Sequence, residues 1–149
     1  MVCVALIYPQ IPPNTGNIAR TCAATCTPLH LVEPLGFEIS DRYLKRAGLD
    51  YWQYTDLTIH PNLEAFQQVA KGRWLCFSSQ GKHHFREFRY QHDDWLLFGS
   101  ETEGLPPELL SAHPTIYIPM KHPQVRSLNL SVSAALGLFE ALRQLEEQG

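Results

Sequence analysis

The chain has 149 residues, of which 44% are apolar and 18% charged, with a net charge of −3. That length suits one domain, read here as a single domain over residues 1–149, burying about 70% of its unfolded surface. No apolar run approaches the roughly 18 residues of a membrane-spanning helix, and the mild acidity argues against a protein that permanently coats nucleic acid.

Val2–Tyr8 is a continuous β-branched and apolar run, as expected of a buried parallel strand, and it reads as a first strand rather than a secretion signal. Residues 12–16 read as a loop, followed by a helix from Asn17 to about Cys26 and a short strand, Leu29–Val32. Ser40 is placed to cap a helix that runs to Ala47 and ends at Gly48. A strand near Tyr54–Ile59 and a helix from Asn62 to about Ala70 come next. Trp74–Phe77, Trp95–Phe98 and Ile116–Ile118 read as three further strands, with a helical turn at Pro106–Leu110 and a last helix from Asn129 to about Glu147. Strands alternating with helices predict an α/β fold with a mostly parallel sheet flanked by helices.

Several chemistries are weak on this pattern. There is no Gly-x-Gly-x-x-Gly after the first strand and no Walker loop. Gly99–Gly104 lacks the serine placement of a hydrolase elbow. Cys3, Cys22, Cys26 and Cys76 show neither disulfide-framework nor zinc spacing, so reduced thiols in a cytoplasm and no metal are expected. Basic residues gather at Lys45 and Arg46, at Lys82 and Arg86, and at Arg126. Such local patches on an acidic chain suit a transient polyanionic substrate, with ordinary solvated faces as the alternative.

Three segments stand out because each follows a predicted strand, where ligands bind in open α/β sheets. In residues 14–20, Asn14 and Gly16 precede Arg20; the glycine admits a ligand to the backbone, the helix N-terminus favours an anion, and Arg20 is able to grip a phosphate. Gly99, Glu101 and Gly104 form a tight loop with a carboxylate between glycines, where a side chain at residue 99 would stand against the ligand. In residues 118–133 a strand breaks at Pro119, and Ser127 and Asn129 lead into a helix apolar on nearly every face, so their polar groups call for partners such as a ligand. Taken singly, each has a plainer reading: helix capping for Asn14 and Asn129, a surface ion pair for Arg20, a turn for Gly99–Gly104.

Together, in order and spacing, these segments resemble the motifs of the SPOUT superfamily of RNA 2′-O-ribose methyltransferases. Residues 31–37 and 46–52 are similar to the small subgroup that methylates the wobble nucleotide of tRNA, a cytidine or modified uridine. The resemblance implies a C-terminal deep trefoil knot and S-adenosylmethionine held by Phe77, Ser78, Gly99, Ile118, Met120, Ser127 and Leu128. It implies a cytoplasmic homodimer in which Arg20 faces the partner's cofactor or substrate, with Asn14, Glu101, Ser127 and Asn129 as further catalytic-site residues. On this reading Arg20 orients the phosphate beside the target ribose, and Glu101 and Asn129 hold Arg20 and the loop geometry. Lys45, Arg46, Lys82, Arg86 and Arg126 are the expected contacts to the tRNA anticodon stem-loop. Phe139 departs from the family, whose members often have tyrosine there. The alternatives are 2′-O-methylation at another RNA site and a non-catalytic RNA-binding module of the same fold.

Overall fold

In the computed structural model, which describes residues 1–39 and 51–148, seven strands form one sheet in which every pairing is parallel. In chain order they are β1 (Cys3–Ile7), β2 (Leu29–Val32), β3 (Leu57–His60), β4 (Trp74–Phe77), β5 (His83–His84), β6 (Trp95–Phe98) and β7 (Thr115–Tyr117), arranged β3-β2-β1-β6-β4-β7-β5. The helices are α1 (Pro12–Ala24), α2 (Leu63–Val69), α3 (Pro107–Ala112) and α4 (Leu130–Gln148), with a 3-10 turn at Trp52–Tyr54. The predicted helix from Ser40 to Ala47, and Lys45 and Arg46 with it, lie outside the described residues.

Alternation along the strands builds two cores. Val4, Leu6, Leu29, Leu31, Leu75, Leu96 and Phe98 face α1 and α4, which contribute Ile18, Cys22, Ala134, Leu138 and Ala141. Ala5, Ile7, Val32, Cys76 and Leu97 face the other way, under Phe66 of α2 and Leu109 of α3. A parallel sheet covered on both faces needs apolar residues at consecutive positions, which is why its strands read as unbroken apolar runs.

Two elements differ from expectation. Helix α1 starts at Pro12, five residues before its predicted beginning, because prolines lack an N–H and carry a helix-compatible φ, and so suit a first turn. It also ends at Ala24, so Cys26 lies beyond it at φ 53° and shares no helical face with Cys22. The two-residue edge strand β5 was not foreseen; His83-His84 is too short and too polar to show a period. All four cysteines are free, and burial pushes the Cys22 and Cys76 thiols up to about 12.

Sheet order reverses at β1: β2 and β3 extend to one side, whereas β6, β4, β7 and β5 occupy the other. The loops that leave the carboxyl ends of β1, β4, β6 and β7 therefore surround one crevice, where an open α/β sheet binds ligands.

Buried between β2 and β3, Nδ1 of His30 lies 2.8 Å from Nε2 of His60, and Phe66 and Trp95 pack around the rings. Burial, and secondarily the neighbouring imidazole, lower the His30 pKa from its ordinary 6.5 to about 4; burial lowers that of His60 as well. The unfolded chain protonates both rings near pH 6.5, whereas in the folded chain His30 resists until about pH 4 and His60 is shifted in the same direction, so folding is fully favoured above pH 6.5 and weakens as pH falls. Chemical denaturation measured from pH 7 to pH 5 should show stability falling, and a His30→Leu/His60→Leu double variant should flatten most of that slope.

Candidate functional site

Helix α1 has no side-chain cap of its own, since its N-cap is Ile11. Its first two residues, Pro12 and Pro13, carry no N–H, and the Asn14 N–H donates to the Ile11 carbonyl, so the amides that need an acceptor are those of Gln10 and Ile11, just before the helix. Glu101, some ninety residues later, supplies the acceptor. Its Oε1 accepts from the Gln10 N–H at 2.9 Å, and its Oε2 accepts from the Ile11 N–H at 2.9 Å and from Asn14 Nδ2 at 3.1 Å. The N-terminus expected to receive a ligand's anion is thus occupied by the chain's own carboxylate. Asn14 and Gly16 are both buried within the helix rather than in a loop before it.

The loop that carries Glu101 is closed on itself. The Gly104 N–H donates to the Ser100 carbonyl at 2.9 Å, and the Glu103 N–H donates to the Ser100 hydroxyl at 3.0 Å. Gly104 takes φ +70°, a left-handed conformation that favours glycine. A Cβ on Gly99 would run into the backbone of Gly104 and Leu105. Gly99 is therefore required by the loop's own path, a constraint additional to the expected clash with a ligand.

Asn129 begins α4 as its cap. Its Oδ1 accepts from the Ser131 N–H at 2.9 Å and the Ser131 hydroxyl at 2.6 Å, and its Nδ2 donates to Asn14 Oδ1 at 3.2 Å. Asn129 thus needs no ligand to satisfy it. Asn14 becomes the middle of a chain from Glu101 through Asn14 to Asn129, which joins the three motif segments across 115 residues of sequence.

Around this chain opens a cleft of about 530 Å³. Phe77, Ser78, Gly99, Ile118, Met120, Ser127 and Leu128 all line it, as do Asn14, Glu101, Asn129 and Arg126. Phe77 stacks on Phe98 with centroids 4.6 Å apart, and both rings rest against Gly137 of α4, where a Cβ would strike Phe77. Sequence reasoning missed Phe98, Ile11 and Ser133 as lining residues. Phe98 closes a predicted strand and Ser133 sits one helical turn after Asn129, so both were within reach of the pattern.

Arg20 is not in the cleft. It is exposed on α1, with its guanidinium over the ring of Tyr51. Neither Glu101 nor Asn129 touches it, so these two hold the loop geometry but not Arg20: the carboxylate anchors the end of the helix that carries Arg20, eight residues or about 12 Å along the axis from Pro12. Lys82 and Arg86 are exposed beside β5, outside the cleft. Among the described residues no cluster of three or more His, Cys, Asp or Glu side chains has metal-binding geometry.

An apolar floor of stacked rings, a polar rim and backbone-rich walls suit a nucleoside-sized cofactor, and the volume falls within the roughly 300–1,000 Å³ of small-molecule sites. The sequence profile of the SpoU rRNA Methylase family matches residues 1–139. The chain belongs to the SpoU methylase family. A Synechocystis protein provisionally named tRNA (cytidine(34)-2′-O)-methyltransferase is 57% identical over the whole of both chains. A solved structure described as giving insight into 2′-OH methylation of C/U34 on tRNA superposes with a TM-score of 0.92 at 48% identity, covering 99% of this chain and 97% of that one. A Sinorhizobium meliloti rRNA methyltransferase with S-adenosylmethionine bound is 29% identical with a TM-score of 0.80, covering 97% of this chain and 56% of the other.

In this SpoU methylase the Glu101 carboxylate secures two backbone donors and one amide. Glu101→Ala should therefore lower unfolding stability by about 1–3 kcal/mol. Exposed Glu103, whose side chain makes no hydrogen bond among the described residues, should cost less than about 0.5 kcal/mol as Glu103→Ala. Urea unfolding of the two variants checks the difference.

Proposed function

We propose that the chain transfers the methyl group of S-adenosylmethionine to the ribose 2′-oxygen of the wobble nucleotide, position 34, of tRNA, as the provisional name of the Synechocystis relative and the described subject of the 48%-identical structure indicate for those proteins. The observation that carries this reading is the Glu101–Asn14–Asn129 chain, which gathers all three motif segments around one cleft. The cofactor, when bound, supplies an electrophilic methyl on a sulfonium centre. Phe77, Ser78, Gly99, Ile118, Met120, Ser127 and Leu128 are the residues placed to hold it, in the part of the chain where the trefoil knot is proposed.

The chain's task in the reaction is alignment. A ribose hydroxyl is a poor nucleophile, so its oxygen must be held in line with the methyl carbon while its proton departs. Arginine, with a pKa above about 12, is a poor base. Arg20 instead grips the phosphate next to the target ribose, and that phosphate or solvent takes the proton. Arg126, at the cleft rim, and Lys82 and Arg86 on the exposed edge supply positive charge for the tRNA backbone, together with Lys45 and Arg46.

Because Arg20 stands outside its own chain's cleft, the proposal includes a homodimer in which it serves the partner's cleft. Support comes from α4. Ala134, Leu138, Ala141 and Leu145 are buried, while Val132, Leu136 and Phe139 form a second apolar stripe that is 40–55% exposed. An apolar stripe of this kind on a helix calls for a covering partner. Phe139 keeps the ring needed for packing without a phenol hydroxyl. The reaction is placed in the cytoplasm, where tRNA is processed.

Two measurements test this reading. Nucleoside analysis of tRNA incubated with enzyme and labelled cofactor should place the label on the ribose of the wobble nucleotide. Arg20→Ala should lower turnover at least about 100-fold with cofactor affinity unchanged; label on a base, or on a ribose outside the anticodon loop, would overturn the substrate assignment. Light scattering should report twice the 17.0 kDa chain mass. A Leu136→Arg/Phe139→Arg variant should run as a monomer without methyl transfer, and a monomeric wild-type enzyme would sink the shared-site arrangement.

A further inference from the structure

The guanidinium carbon of Arg20 lies 4.4 Å from the centroid of the Tyr51 ring. Tyr51 immediately precedes the 3-10 turn Trp52–Tyr54, and that turn is fastened to α1 beside Arg20. The Thr55 hydroxyl lies 3.0 Å from the carbonyl oxygen of Ala19, the residue before Arg20, and 3.1 Å from the carbonyl oxygen of Tyr51, sharing its one hydrogen between them. Trp52 packs against the core on the same side as α1. The backbone positions of ring and guanidinium thus have a common anchor.

Among the described residues no carboxylate lies within ion-pair distance of Arg20. The difference between a ring and a carboxylate matters here. A carboxylate at this place would hold the guanidinium by neutralising it and would compete with any phosphate. An aromatic face attracts the cation through its quadrupole, leaves the full charge in place, and leaves the N–H edges of the planar fork free to point outward. Side-chain freedom that would otherwise be lost when substrate arrives is already reduced in the free enzyme.

We infer that Tyr51 is a positioning residue for Arg20, holding the guanidinium by its ring face so that the fork is presented to the phosphate of the RNA substrate. This rests on the reading above that Arg20 grips that phosphate. Tyr51 acts through Arg20, and the phenol hydroxyl has no part in the effect.

The test compares Tyr51→Phe, which keeps the ring face, with Tyr51→Leu, which keeps apolar bulk and loses the face, in steady-state methylation of tRNA from cells that lack the enzyme. Tyr51→Leu should lower kcat on the order of 10-fold, with tRNA KM within about threefold of wild type. Its affinity for S-adenosylhomocysteine, measured by calorimetry, should be unchanged. Tyr51→Phe should retain more than about half of kcat, because its ring offers a comparable face. The proposal falls if Tyr51→Leu matches wild type, if Tyr51→Phe falls as far as Tyr51→Leu, or if Tyr51→Leu raises KM for tRNA while leaving kcat intact. Arg20→Ala, assayed in parallel, separates the two levels. An active Arg20→Ala enzyme defeats the phosphate-gripping role and Tyr51's with it, whereas an inactive Arg20→Ala beside a fully active Tyr51→Leu defeats the Tyr51 proposal alone.

Discussion

Much of the site depends on a carboxylate placed at the end of a helix to which it does not belong. Helix α1 opens with two prolines, which carry no N–H, behind an isoleucine N-cap with no polar side chain, and the amides that need an acceptor are those of Gln10 and Ile11 just before it. Glu101 fills that need from a loop after β6, and in doing so fixes the distance between the first and second motif segments. Charge and geometry act together, because an anion at a helix N-terminus is favoured by the helix dipole. Asn14 extends the link to Asn129, whose other amide atom caps α4. Two helix ends and one loop are thereby set by three side chains.

This arrangement separates the work of the site between rigid parts. The cleft floor is the Phe77–Phe98 stack at the ends of β4 and β6, supported from below by Gly137 of α4. Those strands are buried on both faces and hydrogen-bonded to each other in parallel register, so the floor has little freedom to move. Arg20 belongs to a different body, α1 with its attached turn, and reaches a different surface. Helix α4 serves both, since one of its faces completes the core while the apolar remainder stays exposed. The homodimer proposed above would unite the cleft and the arginine without requiring either to bend.

Away from the site, other polar contacts fix the frame. Arg73 grips Asp94 bidentately, at 2.9 and 2.8 Å, across the starts of β4 and β6, opposite the cleft. Gln144 of α4 accepts from the Tyr90 N–H and donates to the Phe88 carbonyl, pinning the segment between β5 and β6. Burial pushes the Glu140 carboxyl up, but hydrogen bonds from Arg143 and Gln144 more than reverse this, so that Glu140 stays charged within the helix surface. These contacts hold the strand ends in register, and the loops inherit their positions from them.

By itself the sequence determined the central strands, because a sheet covered on both faces demands unbroken apolar runs, and Trp74–Phe77 and Trp95–Phe98 stand where those runs stand. It also marked the three segments that line the cleft, since glycines and amides after strands are local signals. It was silent or misleading where a residue's role depends on a distant partner. Pro12 and Pro13 read as loop, and nothing near them showed that Glu101 would accept from the Gln10 and Ile11 amides; Asn129 read as a cap or a ligand contact, and its bond to Asn14 at 3.2 Å was not visible. The charge of Arg20 was legible, but which ring or carboxylate it met was not. Local patterning is set by side-chain chemistry within a few residues. The pairing of Glu101 with Gln10, Arg20 with Tyr51 and Asn14 with Asn129 is set by how the chain closes in space, and only the tertiary structure decided it.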